Sequence, residues 1–218
     1  MKTLLLAFDS FKGSLASREV ADAFEEGVRS VLPDCTVKKV CMADGGEGTA
    51  ETLVSSLRGE WVDVEVLDPL MRPIHARYGV VDDGRTAVIE MASASGLTLL
   101  TEEERNPLKT STYGTGQLIT DALKRGCRKL LIGIGGSATN DGGTGMLQAL
   151  GFRFYDKQGG EIADYMCGKF LEEIGRVEWP ADDFAQELAD GKITIEAICD
   201  VTNPLLGEDG ATMVYGPQ

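Results

Sequence analysis

Residues 129 to 151 read KLLIGIGGSATNDGGTGMLQALG, an apolar run that passes into a glycine-rich loop and then into a helix-like segment. This order constrains the fold more than any other feature. A short continuous apolar run suits a strand covered on both faces, and the glycines after it permit positive φ and close approach of backbone to backbone or ligand. Six glycines fall between residues 133 and 146. That is more backbone entropy than a merely capped turn justifies. Successive free N–H groups in such a loop, followed by a helix N-terminus, form an anion site. Phosphate or nucleotide binding is the expected role, with Gly135, Gly136, Ser137, Asn140, Asp141 and Gly142 as candidates and Asp141 as a holder of a cation. A shorter relative, ADGGEGT, occupies residues 43 to 49.

The rest of the chain places these loops. TLLLAF (3–8) reads as a first strand, covered on both faces, and a helix follows from Ser17, a candidate N-cap, to Leu32 before Pro33. TVKKVCM is a second strand leading into the first glycine loop, and TAETLVSSL is a helix after it. Strand, helix, strand, helix is a parallel α/β opening. The pattern then alternates: EWVDVEVLD, then ARYGVV and TAVIEMA flanking the hairpin turn DDGR. This antiparallel signal predicts a second domain starting near Asp68. Thr101 to Glu104 has capping-box spacing, and a Ser/Thr/Gly loop through YGTG precedes the helix QLITDALKRG. KITIEAICD alternates again and ends at Asp200.

Composition excludes several functions. The net charge is −14, spread along the chain, so no basic patch exists to neutralise nucleic-acid phosphates. An acidic protein with an anionic substrate needs local cations, backbone N–H groups or a metal ion. No apolar stretch approaches the roughly 20 residues that span a bilayer. The start, MKTLLLAFDS, imitates a signal peptide but is too short and runs into Asp9. Five cysteines without a Cys-x-x-Cys suggest neither a disulfide framework nor a zinc site, and reduced thiols in a cytosolic protein fit best. His75 is the single histidine, in a strand-like run, and is read as structural, which disfavours a mechanism with a histidine base.

Other residues have two readings. Gly133, Gly135 and Ala138 satisfy G-x-G-x-x-A with Asp156 downstream, a dinucleotide fingerprint that would make the protein an NAD(P)-dependent dehydrogenase. Against this, SATNDGGTG keeps the chain in a loop where the fingerprint needs a helix. No P-loop motif occurs. DSFKGS brings Asp9, Ser10, Lys12 and Ser14 to the carboxyl end of the first strand, where open parallel sheets bind ligands, and Asp44 with Glu47 stands at the end of the second. Both aspartates equally suit turn formation. Asp200 and Asn203 offer oxygen ligands of the kind Mg²⁺ takes alongside phosphate and water. Arg105, Thr112 and Thr115 offer donors for a carboxylate or phosphate, although Thr/Gly loops often simply precede helices.

Together, DSFKGSL, ADGGEGT, IEMASASGL, ERNPL, TSTYGTGQLI, IGIGGSATNDGGTGMLQALG, CDVTNPLLG and YGPQ resemble the bacterial type I glycerate kinases, in the family's order and across essentially the whole chain. The resemblance implies transfer of the γ-phosphoryl of ATP to glycerate with Mg²⁺, with 2-phosphoglycerate the favoured product. It implies a cytoplasmic enzyme of organic-acid catabolism that takes ATP and glycerate, needs neither nucleic acid nor membrane, and permits a homodimer. The implied fold is two α/β domains with the active site in the cleft between them. Residues 1–67 would begin a Rossmann-like parallel-sheet domain and residues 68–218 would form a second, mixed α/β domain. Family members continue past GPQ with a segment that completes the first domain, so this chain is expected to be truncated relative to them. A shortened remnant that binds nucleotide or a small acid without turnover is the other outcome. Within the implied site, Lys12, Asp44 and Asp200 are the catalytic candidates, Asp200 and Asp44 the metal ligands, and Ser10, Arg105 and Thr115 the substrate contacts. Which carboxylate serves as base and which holds the metal stays open.

Overall fold

In the computed structural model, which describes residues 2–9, 11, 14–42, 45–46, 48–181 and 183–217, the apolar run at the start forms β1 (Thr3–Phe8). It pairs in parallel with β2 (Thr36–Cys41), and α1 (Ser17–Val31) links and packs on both. The expectation that β1 is covered on both faces fails. Leu6 is 5 % exposed, while its neighbour Leu5, on the opposite face, is 59 % exposed. Only the face toward α1 is covered, because successive side chains of a strand alternate sides. Ser17 is not the N-cap either. That position falls to Ala16, whose N–H donates to Glu19 at 2.8 Å, and the Ser17 hydroxyl instead donates to the Phe8 carbonyl.

A five-stranded mixed sheet of order β3-β4-β5-β6-β9 carries the rest. β3 (Glu60–Leu67), β4 (Pro73–Val81) and β5 (Thr86–Glu90) are antiparallel neighbours, with DDGR as the β4–β5 turn. β6 (Lys129–Gly133) and β9 (Thr194–Ile198) then add in parallel. The expected boundary between residues 67 and 68 therefore falls between two paired strands, and β3 belongs with the second unit. Its alternating valines require an antiparallel partner, which β4 supplies along eight residues.

Both faces of β5 are covered. On one, Ala87 and Ile89 join Tyr78, Leu118, Ile119, Leu130 and Phe154 in the main core. On the other, Val88 and Val81 meet Ala50 and Val54 of α2 (Thr49–Leu57). A short helix, α3 (Ala92–Ser95), follows β5, and α4 (Tyr113–Lys124) lies against the main core. The YGTG stretch, expected as a loop, is the first turn of α4. A Cβ on Gly114 would strike the Leu67 carbonyl, and one on Gly116 the Met146 carbonyl. These glycines let α4 close on β3 and on α5 (Thr144–Ala149). The antiparallel pair β7 (Arg153–Asp156) and β8 (Ile174–Glu178), α6 (Asp183–Ala189) and α7 (Ala211–Tyr215) complete the order.

Cys127 and Cys167 are buried free thiols, and burial pushes both above the ordinary thiol range, so neither is a ready nucleophile. Among the described residues no helix is long and apolar enough to cross a membrane.

Glycine at position 79 is a packing requirement, since a Cβ there would collide with the Val54 side chain, whereas Gly27 in α1 has open space around it. Gly79→Ala should destabilise the chain by about 1–3 kcal/mol through overpacking. Gly27→Ala should stabilise it by about 0.5–1 kcal/mol through helix propensity. Urea midpoints at unchanged m-value measure both; a neutral Gly79→Ala would show that α2 does not set the packing of β4.

Candidate active site

The carboxyl ends of β5, β6 and β9 lie in one row, with Glu90 opposite Gly133 and Gly133 opposite Ile198. The glycine-rich loop leaves β6 at this edge and is tied down at once. The Met91 N–H donates to the Gly133 carbonyl, Leu97 N–H to Gly136 and Ala138 N–H to Ser95, and the Thr110 hydroxyl donates to the Ala138 carbonyl. The first glycine loop sits directly against it. Gly135 N–H donates to the Gly45 carbonyl at 3.1 Å. A Cβ on Gly133 would lie 2.6 Å from that same oxygen, and one on Gly135 would lie 2.8 Å from Gly46 Cα. Gly45, at φ +93, is confined in turn by the Ile198 carbonyl.

Asp141 organises the second half of the loop. Its carboxylate is 1 % exposed and accepts from the Thr112 N–H and hydroxyl, the Gly143 N–H and the Gly145 N–H at 2.8–3.2 Å. What remains is a row of backbone donors. Among the described residues, the N–H groups of Gly136, Ser137, Asn140, Asp141 and Gly142 meet no protein acceptor. Gly136, Gly142 and Gly143 have φ of +71, +61 and +76, left-handed backbone that glycine adopts without strain. The arrangement can bind an anion without a single positive side chain.

The structure sorts the expected residues. Gly136, Ser137, Asn140 and Gly142 lie on the open stretch. Gly135 does not offer its N–H, which Gly45 takes. Asp141 points inward and shapes the loop, so its carboxylate is spent on protein donors and does not hold a cation. Thr115 is buried at 1 %, its hydroxyl 2.8 Å from Ser95, and does not reach a ligand in this arrangement. Arg105 is exposed, two residues before Pro107, and no side-chain partner holds it among the described residues. Asp200 is exposed just beyond β9. Ser10, Lys12, Asp44 and Glu47 lie outside the described residues. The dinucleotide fingerprint fails on geometry: Gly133 and Gly135 face the other loop's backbone, and no helix begins until Thr144. The dehydrogenase reading falls with it.

A cavity of about 460 Å³, with apolar walls from Phe11, Leu15, Met42 and Trp61 and several charged side chains, opens beside the first glycine loop at Gly48. Asp9, Ser14 and Arg18 line one side, the start of α2 with Glu51 another, and Arg77 and Glu90 the floor. The Arg77 guanidinium lies 4.2 Å from the Trp61 ring centre, which fixes it over an aromatic face. Glu90 accepts the Ala50 N–H at 2.7 Å, tying the start of α2 to the sheet edge. Sequence reasoning passed over Glu90, Arg18 and Arg77. For Glu90 the signal was present: an acid ending an apolar strand, the same pattern that marks Asp9. Nothing local singles out Arg77, which reaches the cavity only because β4 pairs beside β3.

For a metal, no group of three His, Cys, Asp or Glu side chains gathers among the described residues. Mg²⁺ carried on a nucleotide keeps waters and phosphate oxygens and needs only one or two protein carboxylates, and Asp200 is an exposed carboxylate just beyond β9.

Comparison with known proteins agrees on one family. The model of the glycerate kinase family matches residues 4–218. A glycerate kinase from Halalkalibacterium halodurans is 48 % identical over 218 residues, covering 100 % of this chain and 56 % of that protein. The glycerate 2-kinase of Escherichia coli is 45 % identical over 215 residues, covering 99 % of this chain and 55 % of its own length. A crystal structure from Salmonella typhimurium LT2, assigned there as a glycerate kinase 2, superposes with a TM-score of 0.84 at 48 % identity, over 100 % of this chain and 56 % of that one. The chain thus spans a little over half the length of the relatives it matches.

Asp141→Ala should leave three backbone N–H groups without their acceptor, at about 1–3 kcal/mol for each buried donor. A loss of at least about 3 kcal/mol in chemical denaturation is expected, with faster hydrogen exchange at Gly143 and Gly145. Unchanged exchange at those amides would show that the carboxylate does not organise the loop.

Proposed function

The chain belongs to the glycerate kinase family, and from that premise we propose that it transfers the γ-phosphoryl group of MgATP to a hydroxyl of glycerate, with 2-phosphoglycerate as the favoured product. The observation that carries this reading is the set of open backbone donors at Gly136, Ser137, Asn140, Asp141 and Gly142, interrupted by Ala138 and Thr139, beside a second glycine loop at the sheet's carboxyl edge. Phosphoryl transfer asks a protein mainly to position two reactants and neutralise charge. The loop amides hold phosphate oxygens without spending charge, which suits a chain of net charge −14. The Asp200 carboxylate, exposed just beyond β9, would help to hold the Mg²⁺ that comes with the nucleotide, which would supply charge neutralisation at the phosphates. Lys12, four residues past β1 in the sequence, would supply a positive charge for the transferring group.

Glycerate is a small acid with two hydroxyls, and the first cavity offers matching chemistry. Among the described residues, Arg18 and Arg77 are its cations for the carboxylate, and Ser14 and Ser93 are among the hydroxyl side chains that line it. Arg105, first expected in that role, does not line this cavity. A carboxylate orients the acceptor hydroxyl and takes its proton: Glu90 at the sheet edge, or Asp44 of the first loop's sequence. The two glycine loops, packed against each other at Gly135 and Gly45, would then border one reaction together.

The test is an ATP- and glycerate-dependent assay with the product isomer identified by NMR. Lys12→Ala and Asp200→Ala should each lower kcat at least about 100-fold with the fold intact by circular dichroism. Rates near that of the unaltered protein would remove them from the site, and no glycerate-dependent ADP release would overturn the reading for this chain.

A further inference from the structure

A second cavity, of about 400 Å³, differs from the first in chemistry. Pro107, Leu108, Leu171 and Met213 give it apolar walls, Asn140 and Thr212 its polar groups, and no charged side chain among the described residues lines it. Leu108, Leu171 and Met213 are 58 %, 39 % and 65 % exposed, an apolar cluster turned to solvent around the opening. Its floor is rigid backbone, since a Cβ on Gly168 would collide with the Pro107 carbonyl and crowd that of Asn140.

The glycine-rich loop starts near the first cavity and reaches the wall of the second. At its start, Gly135 packs on Gly45 and Gly46, and a Cβ on Gly136 would lie 3.4 Å from Ala92, next to Ser93 of the first cavity. At its far end, Asn140 lines the second cavity and a Cβ on Gly142 would lie 4.0 Å from the Leu171 side chain. The open N–H groups run between. Asn140 is also preset: its Oδ1 accepts from the Thr212 hydroxyl at 3.2 Å, which leaves the Nδ2 donors for another partner.

We propose that the uncharged cavity bounded by Leu108, Leu171, Met213 and Asn140 is the nucleobase subsite, so that ATP lies along the loop with its base at Asn140 and its γ-phosphate toward Gly136. This rests on the phosphate-loop reading above and adds a direction to it. Apolar faces with one amide suit a flat, neutral heterocycle, whereas glycerate or a phosphate would find no cation there. The charged ligand ends are left to the loop amides and to the cavity that holds arginines. This sorting also puts the γ-phosphate, and not the α-phosphate, beside the acceptor.

Titration calorimetry of the chain with Mg²⁺ present, using ATP and inorganic tripolyphosphate, separates the two readings. The unaltered chain should bind ATP at least tenfold more tightly than tripolyphosphate. Leu108→Ala with Leu171→Ala, both solvent-facing positions, should weaken ATP about tenfold and leave tripolyphosphate within twofold. Equal affinities for the two ligands in the unaltered chain, or equal weakening of both by the double variant, would overturn the base subsite while the phosphate loop stands. Binding of neither ligand would overturn the loop reading itself, and the subsite with it.

Discussion

The Gly135 N–H donates to the Gly45 carbonyl at 3.1 Å, and around that bond Gly133, Gly135 and Gly45 have no room for a Cβ. The hydrogen bond by itself is worth only about 1 kcal/mol. Its importance is geometric. Two loops, 90 residues apart in the chain, approach with backbone against backbone, and any side chain at the contact would hold them apart. Because the first loop is seated there, α2 starts where Glu90 can accept its Ala50 N–H, and the first cavity forms between α2 and the segment after β1. Because the second loop is clamped at Gly135, its free amides are displaced beyond the contact, onto Gly136 and the residues that follow.

The two Asp-Gly-Gly motifs consequently do different work. In the second, the aspartate is an internal anchor whose oxygens are filled by Thr112, Gly143 and Gly145, and the surrounding amides are released for a ligand. A buried carboxylate satisfied in this way costs little, and it converts a flexible glycine run into a preset concavity. Neutral amide dipoles can attract an anion locally without altering the net charge of an acidic chain.

Much of the framework was legible in the sequence. Period-two valines marked β3, DDGR marked the β4–β5 turn, and the apolar KLLIG run with its glycines marked the sheet edge and the anion loop. Other readings failed for one shared reason. YGTG resembles a loop locally, but its glycines serve helix packing against Leu67 and Met146. Thr115 resembles a ligand donor, but α4 turns it toward Ser95. Gly133 and Gly135 imitate a dinucleotide fingerprint, but the neighbour they admit is another stretch of this chain.

The sequence by itself determined most of the strands, helices and turns, and that a glycine-rich loop follows a buried strand at the sheet edge. Periodicity, glycine and turn residues act within a few positions of one another, so they can be read in order. Only the tertiary structure decided which amides stay free, which acid is buried, that Arg77 and Glu90 share a cavity, and that charged and uncharged cavities lie at opposite ends of one loop. Those properties depend on contacts between residues distant in the chain, where a missing Cβ or the facing of a single strand sets what can approach.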